Sequence, residues 1–185
     1  MGLEIEHKFL VRDDSYKTLA TSRSRIVQGY ICSERGRTVR VRLRAELPME
    51  NTTAAGTSGK NATATAAGTS LTSGKGYLTI KGPSMQGGLS RYEFEKEITL
   101  DEAFSLLRLC EPGTIDKVRW LVPTSDGHTF EVDEFFGDNE GLTVAEVELS
   151  HEAETFERPD FLAEDVTGDR RYYNSQLRQR PYKTW

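Results

Sequence analysis

The 185-residue chain is long enough for one domain with a sizeable core. Its 24 Lys and Arg against 29 Asp and Glu leave a net charge of -5, which excludes a general nucleic-acid binder, because neutralising phosphates takes an excess of bases. No run approaches the roughly 20 apolar residues that span a membrane, no apolar leader precedes Glu4, and Cys32 and Cys110 match neither a disulfide framework nor a metal knuckle, so a cytoplasmic protein with free thiols is expected.

The first stretch, Glu4-Ile5-Glu6-His7-Lys8, reads as a strand. Successive side chains of a strand point to opposite faces, so Glu4, Glu6 and Lys8 share one face and Leu3, Ile5, His7 and Phe9 the other. Two carboxylates side by side suit a hard divalent cation, and the ammonium next to them suits an anion. For any single strand a solvated charged face is the better explanation. Recurrence decides between the two.

Arg12-Asp13-Asp14-Ser15 is a helix-start signal for a short helix with Tyr16, Leu19 and Ala20 on its apolar stripe. Residues 23–31 form a second strand with Ile26, Gln28 and Tyr30 on one face, and residues 38–45 a third with Arg40, Arg42 and Arg44 on one side. A row of guanidinium groups grips phosphate oxygens in bidentate fashion, so these arginines are candidate anion ligands.

Residues 49–76 change character: they are rich in Ala, Thr, Gly and Ser, and Thr53-Ala-Ala-Gly-Thr-Ser58 recurs from Thr65 to Ser70. Such a segment cannot bury enough apolar surface to offset its ordering entropy and is expected to be a flexible insertion within a single domain. Its Gly-Lys pairs do not complete a phosphate-loop motif.

Strands resume at residues 77–81, with Lys81 closing the fourth, and at 91–99, with Glu93 and Glu95 on one face of the fifth. Thr99 and Glu102 form a capping box ahead of a helix carrying Phe104, Leu106, Leu107 and Cys110, stopped by Pro112-Gly113. Then come strands over 115–122, 128–136 and 142–150, with Lys117 and Arg119, Glu131 and Asp133, and Glu146 and Glu148 alternating with apolar residues. His7, His128 and His151 are scattered and are not read as ligands. Pro159 is expected to begin a helix through Leu162, and Tyr172, Tyr173 and Leu177 a last helix that covers the wall or closes one mouth.

Seven segments with one charged and one apolar face form either an ordinary sheet with its charges in water or an antiparallel barrel with its charges inside. If amphipathic helices cover the apolar faces, the charges line the lumen, which is stable only when it holds water, ions or a charged ligand. The expected fold is therefore mainly β, an eight-stranded antiparallel barrel closed into a tunnel, with helices packed outside.

The residues resemble the CYTH domain, or triphosphate tunnel metalloenzyme, family in its short microbial branch. Its Glu-x-Glu-x-Lys signature matches Glu4-x-Glu6-x-Lys8, and the likeness continues through Gln28-Gly29-Tyr30, Val39-Arg40-Val41-Arg42, Leu78-Thr79-Ile80-Lys81, Tyr92-Glu93-Phe94-Glu95, Asp116-Lys117-Val118-Arg119-Trp120, Glu131-Val132-Asp133 and Ala145-Glu146-Val147-Glu148. The resemblance implies that Glu4, Glu6, Asp133, Glu146 and Glu148 bind Mg²⁺ or Mn²⁺. It implies that Lys8, Arg40, Arg42, Lys81, Lys117 and Arg119 grip a triphosphate, with Lys8 near the phosphates or the attacking water; Tyr30, on the inward face of the second strand, is either a packed aromatic or a catalytic residue whose polar tip reaches Lys8. Glu93, Glu95 and Glu131 would be further tunnel carboxylates, Glu93 and Glu95 holding a second ion or orienting the bases.

The implied activity is hydrolysis of the terminal phosphate of inorganic triphosphate, or of nucleoside or thiamine triphosphate. Two alternatives stay open: a CYTH-type adenylate cyclase making cyclic AMP from ATP, and a non-catalytic polyphosphate-binding module. The implied partner is a small-molecule triphosphate, with no nucleic acid or membrane, and the oligomeric state is open between monomer and homodimer.

Overall fold

Period-two alternation of charged and apolar side chains is realised as strands along most of the chain. The computed structural model describes residues 2–34, 36–49, 74–85 and 90–185, with the backbone alone at 2–4, 84–85 and 90–91. The strands are β1 (Gly2–Val11), β2 (Ser22–Cys32), β3 (Thr38–Leu47), β4 (Lys75–Met85), β5 (Ser90–Ile98), β6 (Ile115–Pro123), β7 (Thr129–Phe135), β8 (Thr143–Glu148) and β9 (Leu162–Asp165). Three short helices accompany them: α1 (Tyr16–Leu19), α2 (Leu100–Leu107) and α3 (Asn174–Leu177). The expected insertion at 49–76 lies largely outside the described residues, and β4 begins within its last two positions.

All pairings are antiparallel, in the order β5-β4-β3-β2-β6-β7-β8-β1-β9, with β5 returning to β1. The sequence led us to expect eight strands in a fully closed barrel; the sheet has nine and its seam is partial. Among the described residues β1 meets β5 over Gly2–Ile5, and β9 takes up β1 again from Phe9 to Val11. The segment expected as a helix from Pro159 thus becomes β9, because β1 offers it a backbone edge that β5 has left. Phe161 and Leu162 bury their side chains against Phe9 and Tyr16 at the same time.

The apolar faces point outward and are covered along most of the sheet, while Ile80 of β4 and Tyr92 of β5 stay exposed. Ile5, Phe9, Trp120, Phe130, Val132, Ala145 and Val147 form the main core, closed by Tyr16 of α1 and by Phe161 and Leu162. The Tyr16 ring packs edge-on to Trp120 at 6.0 Å and to Phe161 at 6.1 Å. Helix α1 is a single turn, so the expected stripe fails at Leu19, which is 53% exposed.

Helix α2 starts at the expected capping box: Glu102 N donates to Thr99 Oγ1 at 3.2 Å and Thr99 N to Glu102 Oε2 at 2.8 Å. It seats Ala103 against Val41 and Leu43 on the outside of the sheet. Close approach needs glycine beneath it. A Cβ at Gly76 would stand 2.9 Å from Thr99 O, and one at Gly29 would stand 2.8 Å from Cys110 Sγ. With the outer faces packed in this way, the charged faces have nowhere to go but inward.

Candidate active site

The inward faces enclose a cavity of about 620 Å³. Glu6 and Lys8 reach it from β1, Tyr30 from β2, Arg40 and Arg42 from β3, Lys81 from β4, Glu93 and Glu95 from β5, Arg119 from β6, Glu131 from β7, and Glu146 and Glu148 from β8. Glu4 pairs its backbone with Arg91, and its side chain lies outside the described residues.

Acids and bases interleave across the wall. Lys8 Nζ lies 2.9 Å from Glu146 Oε1 and 3.7 Å from Glu6 Oε1, as the β1–β8 register requires by setting Lys8 opposite Glu146 and Glu6 opposite Glu148. Lys81 pairs with Glu93 at 2.5 Å. Arg40 Nη2 donates to Thr79 Oγ1 at 3.0 Å and to Glu95 Oε2 at 3.3 Å, and Arg42 Nε donates to Gln28 Oε1 at 3.2 Å. Among the described residues Arg40 Nε is a buried donor without a hydrogen-bond partner, which is what a wall awaiting an anionic oxygen presents.

Arg119 is the hub. It forks onto Asp133 through Nε at 2.7 Å and Nη2 at 2.6 Å, reaches Glu146 at 3.3 Å, and donates to Glu131. Burial alone would lower its pKa; Asp133, Glu131 and Glu146 reverse that and raise it well above the ordinary value. Burial would likewise raise the Glu146 carboxyl, but Lys8, Arg119 and Lys117 hold it far below its usual range. Burial would also raise Glu95, yet the Thr79 hydroxyl, Arg42 and Arg40 bring it down. Arg42 itself is pulled down to about 10 by burial and by repulsion from Arg40 and Arg119. Glu146 and Glu95 are therefore carboxylates at neutral pH, set against the cations around the cavity.

Two sequence-predicted residues sit elsewhere. Lys117 is 0% exposed and Asp133 is 1% exposed; they pair with each other behind Arg119 and do not line the cavity. Burial outweighs the Asp133 charge and pulls Lys117 down to about 8. Asp133 gives its oxygens to Arg119 and Lys117.

Sequence reasoning missed Tyr173, Asn174 and Ser175, which line the cavity from the C-terminal segment. The Tyr173 ring centroid is 5.1 Å from Lys8 Nζ. The expected last helix shrinks to α3 between two 3₁₀ turns, which leaves Tyr173 in extended backbone just ahead of it. The signal in sequence was the tyrosine pair after the 166–169 turn, of which Tyr172 goes to the core.

Among the described residues no three His, Cys, Asp or Glu side chains converge tightly enough to hold a metal by themselves, and no helix is long and apolar enough to cross a membrane. The donor chemistry still suits Mg²⁺ or Mn²⁺, because such ions are commonly held by one or two carboxylates with substrate phosphates and water completing the shell. Glu6, Glu146 and Glu148 offer hard oxygens of that kind on neighbouring strands.

Comparison with known proteins gives the architecture its relatives. An inorganic triphosphatase of Acetivibrio thermocellus is 41% identical over 186 residues, covering 100% of this chain and 99% of the relative. A second inorganic triphosphatase, from Nitrosomonas europaea, is 36% identical over 103 residues, covering 55% of this chain and 66% of the relative. The crystal structure of an inorganic triphosphatase superposes with a TM-score of 0.54 at 27% identity, over 96% of this chain and 95% of that one. The family model described as the CYTH domain matches residues 2–176, and with nearly the whole chain inside that match this protein belongs to the CYTH family.

Proposed function

We propose that this chain is a divalent-metal-dependent triphosphatase that removes the terminal phosphate of inorganic triphosphate. The observation that carries the reading is the interleaving of opposed charges around one cavity: Lys8, Arg40, Arg42, Lys81 and Arg119 alternate with Glu6, Glu93, Glu95, Glu131, Glu146 and Glu148. A bare anion would be repelled by that many carboxylates, and a bare cation by that many bases. A metal complex of a polyanion satisfies both.

Arg40, Arg42, Arg119 and Lys81 bind the phosphate oxygens; Glu95, Glu146 and Glu93 keep Arg40, Arg119 and Lys81 pointed into the cavity before substrate arrives, and Gln28 steadies Arg42. Lys117 and Asp133, which the sequence placed among the substrate and metal ligands, support Arg119 from behind. Glu6, Glu146 and Glu148 would hold Mg²⁺ or Mn²⁺. The bound ion supplies Lewis-acid neutralisation of the phosphate charge. Lys8 and Tyr30 serve the terminal phosphorus, where a water oxygen forms the new P–O bond as the bond to the bridging oxygen breaks and diphosphate leaves. The substrate is a small molecule and the setting cytoplasmic.

Phosphate release from inorganic triphosphate, ATP and pyrophosphate, with Mg²⁺ or Mn²⁺, tests the reading. Release from triphosphate that disappears with a chelator and falls at least a hundredfold in Glu6→Gln is expected. Metal-independent release, or cyclic AMP from ATP without phosphate, would overturn it.

A further inference from the structure

We propose that Tyr173 is a positioning residue for Lys8, its ring holding the Lys8 ammonium against Glu146 and facing the cavity. The inference rests on the triphosphatase reading and deepens it. Lysine carries its charge on a flexible four-carbon stem, so a lysine that serves a reacting phosphate needs walls on both sides. On one side β8 supplies Glu146, opposite Lys8 in register. On the other side Lys8 falls in the seam: β5 pairs with β1 only as far as Ile5, and β9 begins at Phe9. The strand neighbour that would steady Lys8 there is missing among the described residues, and the C-terminal segment takes its place.

That segment grips Lys8 at both ends. Lys8 N donates to Thr167 Oγ1 at 3.0 Å and Val166 N donates to Lys8 O at 2.8 Å, while the Tyr173 ring covers Nζ at 5.1 Å. The backbone that carries the ring is fixed: Gln176 N and Leu177 N donate to the main-chain oxygen of Tyr173 at 2.8 Å and 2.9 Å. Beyond α3, Arg178 Nη2 reaches Glu111 Oε2 at 2.5 Å and Ser33 Oγ at 2.7 Å, clasping the segment to the body of the fold. A cation over an aromatic face gains enough, where partly desolvated, to select one ammonium position over its rotamers.

The test compares the full chain with Tyr173→Phe and Tyr173→Leu. With triphosphate and Mg²⁺, Tyr173→Leu should lose about tenfold in kcat with KM within about twofold, and Tyr173→Phe should stay within about twofold in both. Equal losses in the two variants, an unchanged Tyr173→Leu, or a loss confined to KM would overturn the proposal. A second readout needs no turnover: in metal-free protein the Lys8 ε-methylene protons should be ring-shifted upfield in wild type and Tyr173→Phe, and ordinary in Tyr173→Leu. Ordinary shifts in wild type would overturn it as well. A wild type that shows the ring shift but no triphosphate turnover would sink the triphosphatase reading and leave the contact standing.

Discussion

Replacing Asp133 by asparagine is the sharpest test of how the basic half of the cavity is built. Asp133 accepts two hydrogen bonds from Arg119 and one from the fully buried Lys117. Burial pushes its carboxyl up, and Arg119 and Lys117 overcome that to hold it below the ordinary value, so it folds as a carboxylate. Asp133→Asn keeps the shape and one acceptor but leaves two cations without their shared counter-charge. Removing one partner of a buried pair costs about 3–5 kcal/mol. Glu131→Gln removes another Arg119 partner, but there the carboxylate side chain is 40% exposed, and a contact of that kind is worth about 0–1 kcal/mol. For a chain of this size each kcal/mol moves the midpoint by about 2–4 °C, so Asp133→Asn should melt about 6–20 °C lower and Glu131→Gln within about 4 °C of wild type. Circular dichroism at pH 7 reads both. Equal midpoints would refute the assignment of Asp133 as the buried anchor of Arg119.

Three further outcomes are expected. Gly29→Ala should destabilise by about 1–3 kcal/mol because its Cβ meets Cys110 Sγ at 2.8 Å, and Cys110→Ala should recover part of the loss in a urea double-mutant cycle. Thr99→Ala, which removes the α2 cap, should cost about 1 kcal/mol by the same urea measurement. His128 bridges Asp126 and Glu154, both at 3.1 Å; burial would lower its pKa, but these acids raise it above 6.5, while the Ser150 hydroxyl and amide hold Glu154 down at about 2. A raised histidine stabilises below its unfolded pKa and loses that contribution as pH rises through its folded value; a depressed glutamate stabilises above 4.5 and loses it as pH falls. The midpoint gap between wild type and His128→Gln should therefore be widest between pH 4.5 and 6.5 and shrink by about pH 9, where an unchanged gap would contradict the bridge.

The strands were legible because period-two alternation needs no knowledge of neighbours: Arg40 and Arg42, or Glu146 and Glu148, announce a charged face wherever the strand ends up. Alternation gives the face but not the depth. Lys117 and Arg119 share a face in sequence, yet Arg119 meets the cavity while Lys117 lies behind it, a distinction set by where the outer layers close the wall. Residues 162–165 carried no strand signal of their own, since a four-residue edge strand is selected by the backbone it finds on β1. Tyr173 was invisible as a site residue for a similar reason: it belongs to no periodic element, and only the fold brings position 173 to position 8.

The seating of β1 has a consequence for biosynthesis. Every strand that pairs with β1 is made later: β5 first, then β8 and β9. At roughly 5–20 residues per second, Lys8 waits about 7–30 s on the ribosome before Glu146 is even polymerised. During that interval Ile5 and Phe9 lack the part of their core that comes from Ala145, Val147, Phe161 and Leu162, so the apolar face of the N-terminal strand stays partly uncovered. A product that stops before β8 lacks the Glu146 partner of Lys8.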